Sequence, residues 1–310
     1  MRRTVVELIG VVIVSLLAAG IAYAGPCAGS TGATSYAGPL CGNITGQVII
    51  TGNTWLTGNV TCKVTGAACI VLGANNISLK LNGYTITGQG EPRGSSTWGS
   101  CPSETAFERA IDTNLQNNVR ILGPGLIGEF REVGILITGN NSLVQNVVVS
   151  STCREGIFMA GSHNDLEKNT VVRSSLNGNF LASIFVTGSG GHTVRGNQVG
   201  ASGPAPFLTQ GLGGGQGIFI GSSRPNNNNR IIGNTVTGIP GSGLWVAWAS
   251  PYQPEQGNQI IGNKFFGNVG DWDIIDQNMA GSNTYSNNAC EVSVGADAPK
   301  CPNLPGESND

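Results

Sequence analysis

Charge is scarce in this chain. Asp, Glu, Lys and Arg together make up 11% of 310 residues, and the formal net charge is −2. Leaving out the first 24 residues removes Arg2, Arg3 and Glu7, so 14 basic residues face 17 acidic ones and the balance is −3. Nucleic acid is therefore excluded as a partner, because binding a phosphate backbone needs a basic surface. There are only two histidines, His163 and His192, and both lie far from any closely spaced cysteine pair. That spacing excludes a structural zinc site, which needs Cys and His ligands at short, regular intervals. Beyond the N-terminal segment no stretch carries ten residues of helical amphipathicity, so helical folds are excluded as well.

The one long apolar run is at the start of the chain. Met1-Arg2-Arg3 is a charged n-region, Leu8 to Gly20 an apolar core, and Ala22-Tyr23-Ala24 before Gly25 a small-x-small cleavage site. Residues 1–24 read as a signal peptide, with no stable membrane insertion expected after cleavage. The alternative is an uncleaved anchor, since Val5 to Ala24 approaches the ~20 residues that span a bilayer. All eight cysteines (Cys27, Cys41, Cys62, Cys69, Cys101, Cys153, Cys290 and Cys301) follow this segment. An even count in an exported chain reads as disulfides in an oxidising compartment, secreted or periplasmic. Spacing alone does not fix the pairing, but Cys290 with Cys301 and Cys101 with Cys153 are the favoured pairs.

A repeat is what the chain has in abundance. Six apolar triplets recur: Ile135-Leu136-Ile137, Ile157-Phe158-Met159, Ile184-Phe185-Val186, Ile218-Phe219-Ile220, Leu244-Trp245-Val246 and Asp273-Ile274-Ile275. Each is followed by a polar turn and then an asparagine before a second short apolar run: Asn146, Asn169, Asn197, Asn234, Asn263 and Asn288. Asn82, in Leu81-Asn82-Gly83-Tyr84, reads as an earlier member of this series. Strand-length runs repeating every 22 to 37 residues are the pattern of a stacked solenoid. Asparagine suits the corners, since it tolerates the left-handed conformation and bonds to local backbone. Coils ~4.8 Å apart also let equivalent asparagines bond to each other as a ladder.

The expected fold is all-β, a single-stranded right-handed parallel β-helix of about eight coils with an asparagine ladder. The expected division is a signal peptide at 1–24, a disulfide-containing N-terminal cap at 25–46, the helix at 47–289 and a C-terminal cap and tail at 290–310. Strand pleating sends the first and third triplet residues inward and the middle one outward. The outward column then reads Asp112, Leu136, Phe158, Phe185, Phe219, Trp245 and Ile275.

These coil phrases, with Leu56-Thr57-Gly58-Asn59-Val60-Thr61-Cys62 at the start and Asn283-Thr284-Tyr285-Ser286-Asn287-Asn288 at the end, resemble bacterial secreted right-handed parallel β-helix repeat proteins of the pectate lyase-like superfamily. The likeness covers roughly residues 41 to 301 on the repeat criterion. It implies a range of functions: polysaccharide lyases, glycoside hydrolases, uronan epimerases, carbohydrate-binding surface proteins and the copper-maturation accessory NosD. Fold alone does not choose among them. The paired aspartates and His-Gly of the pectin hydrolases are missing, for His163 precedes Asn164 and His192 precedes Thr193. So are the Arg-x-Pro-x-x-Arg segment of pectate lyases and the Asp-Pro-His-Asp signature of alginate epimerases.

Candidate chemistry lies where the repeat departs from itself. Glu108-Arg109, Arg131-Glu132 and Arg154-Glu155 each precede a strand of successive coils, with Asp112 a step further on. Glu108, Arg109, Asp112, Glu132, Arg154 and Glu155 are the catalytic candidates: a carboxylate as proton donor or acceptor at a glycosidic oxygen or uronate C5, an arginine on the sugar carboxylate. Two-carboxylate hydrolysis needs a separation of ~5 to 9 Å. The structural alternative is a surface ladder of ion pairs worth ~0.2 to 1 kcal/mol each. Substrate-binding candidates are Arg131 and the outward rings Phe158, Phe185, Phe219 and Trp245, with Trp248 and Tyr252, because sugars stack on aromatic faces. The phenylalanines are the members expected under loops. Insertions from Gln89 to Phe107 and from Ala201 to Gln216 leave the same side of the solenoid and would wall a groove, with Pro92, Arg93, Trp98 and Arg224 as secondary lining. The run Asp271-Trp272-Asp273-Ile274-Ile275-Asp276 offers oxygens to calcium but lacks a binding loop and sits where a polar cap belongs. No cofactor is expected. The expected partner is a polysaccharide, bound or processed; the alternative is a non-catalytic surface or adhesion solenoid that grips a glycan or protein.

Overall fold

A computed structural model describes residues 35–90, 107–176, 182–200, 215–221, 226–248, 254–268, 272–299 and 301. Residues 1–24, Cys27 and Cys101 lie outside this set, and so do the expectations that rest on them. Among the described residues the regular structure is strand throughout, and 26 strands join into one parallel sheet. The chain winds as a right-handed parallel β-helix, each coil giving a short strand to each of three faces.

The first face stacks the triplets in register. Ile135–Ile137 pairs with Ile157–Met159, and the column continues through Ala182–Val186, Gln216–Ile220, Leu244–Val246 and Ile274–Asp276. The second face stacks Leu143–Gln145, Asp165–Glu167, Thr193–Arg195, Arg230–Ile232, Gln259–Ile261 and Thr284–Ser286. The third stacks Val148–Thr152, Thr170–Val172, Gln198–Gly200, Thr235–Thr237 and Lys264–Phe266. Pleating places first and third residues inward on the first face, and middle residues inward on the other two. Ile157, Ile184, Ile218 and Leu244 therefore meet Leu166, Val194, Ile231 and Val171, Val199, Val236 in one buried core. Each such side chain contributes roughly 1.5 to 3 kcal/mol by leaving water.

Three readings of the repeat are corrected. The sixth triplet starts one residue later than the sequence pattern placed it, for Leu244 aligns with Ile274 and Val246 with Asp276. Its third, inward residue is thus an aspartate, tolerated because its oxygens accept from Asn278 Nδ2 (2.8 Å), Asn283 Nδ2 (3.0 Å) and the Tyr285 hydroxyl (2.8 Å). The left-handed corner residue is also not the ladder asparagine but the one before it: Lys168, Gly196, Gly233, Gly262 and Asn287 all have φ between 55° and 64°. Asn146 (φ 57°) and Asn82 (φ 51°) are exposed corner residues of that kind and not rungs; the rung beside Asn146 is Val147. Finally, the stack extends into both segments read as caps. Ser35–Ile44 runs in parallel along Val48–Cys62 through all three faces, and Ser293–Val294 pairs with Ile274–Asp276.

The rungs themselves are Asn169, Asn197, Asn234, Asn263 and Asn288. In the first four, the backbone N–H and Nδ2 both donate to the Oδ1 of the next rung at 2.9 to 3.0 Å, as from Asn197 to Asn234 and from Asn234 to Asn263. Nδ2 donates in addition to a carbonyl such as Val194 O (2.9 Å). A disulfide joins Cys290 to Cys301, the favoured pair, and another joins Cys62 to Cys69. Cys41 and Cys153 are also disulfide-bonded.

Candidate functional site

Short turns carry the charged residues to the entrance of the first face, and the coil register brings them together. Arg131 grips Glu108 with two nitrogens, Nε at 2.7 Å from Oε1 and Nη2 on Oε2, and Nη2 reaches Thr65 Oγ1 at 3.3 Å. Arg109 bridges Asp112 (Nη1 to Oδ2, 2.9 Å) and Glu132 (Nε to Oε2, 2.9 Å). Arg154 reaches the other Glu132 oxygen at 3.4 Å and Glu155 at 3.6 Å. All seven sequence candidates are therefore engaged, in one bidentate pair and one five-residue chain.

This is not a surface ladder. The side chains of Glu108, Glu132 and Glu155 are 2%, 5% and 1% exposed, whereas the arginines reach 18% to 35%. The carboxylates lie behind and the guanidinium groups in front. Burial lowers the Arg109 pKa, but hydrogen bonds and charge from Glu132 and Asp112 outweigh it and hold the pKa above its ordinary value. The bond to Glu108 raises Arg131 in the same way. Glu132 is shared by two guanidinium groups, one on each of its oxygens. Arg109 also lies 5.4 Å over the ring of Phe107, which is exposed.

The outward column of the first face follows the expected order from Asp112 through Leu136, Phe158, Phe185, Phe219 and Trp245 to Ile275. The four rings are half-buried. Phe158 and Phe185 stack with centroids 4.9 Å apart and planes 4° apart; Phe219 follows at 4.9 Å and 30°. Each phenyl ring covers part of its neighbour's face, so the row turns mainly edges to an incoming ligand. Trp245 breaks this order, standing at 81° to Phe219, and its Nε1 is buried without a hydrogen-bond partner among the described residues. Trp248 is exposed and its indole N–H donates to Gln277 O. Tyr252, Pro92, Arg93, Trp98, Arg224 and nearly all of both insertions lie outside the described residues.

The acidic run near the C-terminus uses its oxygens internally. Asp273 accepts from Asn268 Nδ2 (2.7 Å) and from the N–H of Glu291 (2.6 Å), and Asp276 is committed as described above. Burial and the Asp276 carboxylate push the Tyr285 phenol up. Asp271 lies outside the described residues.

Sequence reasoning missed a second ladder. Asn164, His192, Asn229, Asn258 and Asn283 form it, each N–H donating to the side chain of the next, from Asn164 N to His192 Nδ1 (3.2 Å) to Asn283 N to Asp297 Oδ2 (2.9 Å). The signal was present: each stands five residues before a rung of the first ladder. His192 takes an asparagine's place, fully buried, with Nε2–H donating to Thr187 O at 2.9 Å. Burial pushes its pKa down to about 4, so it is neutral with both nitrogens committed. Glu255, three residues before Asn258, is another substituted position. It accepts from the Asn226 N–H, burial pushes its pKa up to about 7, and its Oε1 has no partner among the described residues.

Comparison with known proteins adds a family. Among solved structures the chain is similar to pectate lyase Pel9A (12% identity over 89% of this chain and 80% of that one, TM-score 0.47). It is likewise similar to the mannuronan C-5 epimerase AlgE4 A-module of Azotobacter vinelandii (12% identity, 89% and 90%, TM-score 0.40). The Dettilon tailspike protein matches at 14% identity and TM-score 0.43 over 81% of this chain, which spans 60% of the tailspike's length. No curated protein matches. A model of the family described as "Periplasmic copper-binding protein (NosD)" matches residues 104–294, from the ion-pair cluster to the last strand, and the chain belongs to that family.

Proposed function

We propose that this protein is an extracytoplasmic solenoid that binds an acidic polysaccharide along its first face without cleaving it. One observation carries the reading: guanidinium groups of Arg109, Arg131 and Arg154 stand in front of buried carboxylates, at the head of a half-buried aromatic row on the same face. The guanidinium nitrogens not held by these carboxylates suit sugar carboxylates, and ring edges with the turned indole of Trp245 suit the apolar faces of sugar rings. Glu108, Glu132 and Glu155 then orient arginines and transfer no proton. Disulfides and the family's description agree with a periplasmic or secreted setting.

The family's description also names copper, for which imidazole, thiolate and thioether are the usual donors. Among the described residues the donors do not fit such a site. Both nitrogens of His192 are used, Met159 is in the core, and Cys41, Cys62, Cys69, Cys153, Cys290 and Cys301 are in disulfides. His163 and Met279 are exposed but four coils apart, about 19 Å at ~4.8 Å per coil.

Polymeric uronans and neutral glucans, offered to the full mature chain with product analysis alongside, test the proposal. Uronan binding should weaken about tenfold in Arg154→Ala, one charge-assisted contact's worth, and also weaken in Trp245→Ala, with no new chain ends released. Turnover abolished by Glu132→Gln, or uronan affinity untouched by both variants, would sink it.

A further inference from the structure

A second cleft lies on another face. Val48–Cys62 passes through all three faces, and its middle segment pairs Thr54 with Leu79 and Trp55 with Lys80 on the second face. There Asn53, Thr54, Trp55, Ser78, Lys80 and Asn82 line a cleft of about 340 Å³, within the range of small-ligand sites. It stands near the N-terminal end of the stack, on a different sheet surface from the aromatic row.

Its lining is rich in hydrogen-bond donors. Asn53 Oδ1 is occupied by two donors, Ser78 N (2.9 Å) and Ser78 Oγ (3.0 Å), which fixes the amide, and its Nδ2–H groups have no partner among the described residues. Asn82 is held by its Nδ2 on Leu56 O at 3.1 Å. Lys80 is exposed and has no ion-pair partner among the described residues. Trp55 is 41% exposed and pairs in register with Lys80, and its indole N–H has no partner among the described residues. An ammonium, an amide and an indole thus line one cleft beside an exposed aromatic ring. The complementary ligand has a carboxylate for the donors and an apolar ring face for the indole.

We infer that this cleft is a binding site for a single uronic acid residue, with Lys80 and Asn53 on the carboxylate and Trp55 against the sugar ring. It does not rest on the reading of the first face. Lys80 recognises charge and Trp55 recognises the ring, so a neutral sugar loses the first contact and a simple carboxylate loses the second.

Titration calorimetry on the full mature chain with di- and trigalacturonate, their neutral galactose counterparts and acetate tests it. Galacturonates should bind, with affinity falling about tenfold in Lys80→Met and strongly in Trp55→Ala; both side chains are exposed, so the fold is kept. Arg154→Ala should leave this short-ligand binding intact, which separates it from the first-face proposal. Absent binding, equal affinity for the neutral oligomers or for acetate, or loss in Arg154→Ala with Lys80→Met unaffected would each overturn the inference.

Discussion

The two stacked columns of polar side chains, charged at the entrance of the first face and neutral at the corners, use the same coil spacing in opposite ways. An asparagine both donates and accepts, so Asn169, Asn197, Asn234 and Asn263 repeat without limit and each rung satisfies the one before it. A charge cannot follow itself. The chain from Asp112 through Arg109, Glu132 and Arg154 to Glu155 must alternate sign, and it runs over three coils. Amides build a scaffold because identity is stabilising; charges mark a place because identity is not. The family match begins at residue 104, just ahead of that place.

Breaking the charged column should have the largest effect. Arg131→Met leaves Glu108 buried without its bidentate partner, and loss of one member of a buried pair costs about 3 to 5 kcal/mol. Chemical denaturation at neutral pH should show it. A deficit under about 1 kcal/mol would mean the pair behaves as an exposed one. The amide column should respond less. Asn234→Ala removes the acceptor of Asn197 N and Nδ2 and the donor to Val194 O, stranding buried groups at about 2 to 3 kcal/mol. Asn234→Asp should be no better, since a carboxylate cannot donate to Val194 O or Asn263 Oδ1. Equal stability of wild type and either variant would remove the ladder from the account of the fold.

The fold was legible because both periodicities lie in the sequence: inward apolar residues fix the strands, and asparagines mark the coil length. Register failed where a polar residue occupied an inward position. The pattern left Asp276 outside the sixth triplet, and only the tertiary partners Asn278, Asn283 and Tyr285 explain its burial. Asn146 and Asn82 were misplaced because asparagine serves two corner positions, left-handed backbone and buried rung, that residue type alone does not separate. The charged cluster was legible as a cluster, for charge is rare here. Which groups face solvent was not, since that depends on side chains crossing between coils. The Trp55 cleft escaped because it arises where one long strand precedes the repeated phrases and so breaks no pattern.

His192 and Glu255 are where the comparison blurs, titratable groups standing in the neutral columns, and their pH signatures oppose each other. His192 falls from 6.5 to about 4 on folding, so between those values the unfolded chain holds a proton that the folded chain lacks. Stability from this group is lost as pH drops through that window. Glu255 rises from 4.5 to about 7, so the folded chain holds the extra proton and stability falls as pH climbs from 4.5 to 7. Each contributes a slope of at most about 1.4 kcal/mol per pH unit, and between 4.5 and 6.5 the two offset each other. Difference profiles of unfolding midpoint against pH should therefore separate them. His192→Asn, which restores an amide rung, should expose a stability that declines from pH 4.5 to 7. Glu255→Gln should expose one that increases from pH 4 to 6.5. If both variants keep the wild-type profile, the two groups remain neutralised by partners in every state, and the corner columns are no less tolerant of charge than the entrance of the first face.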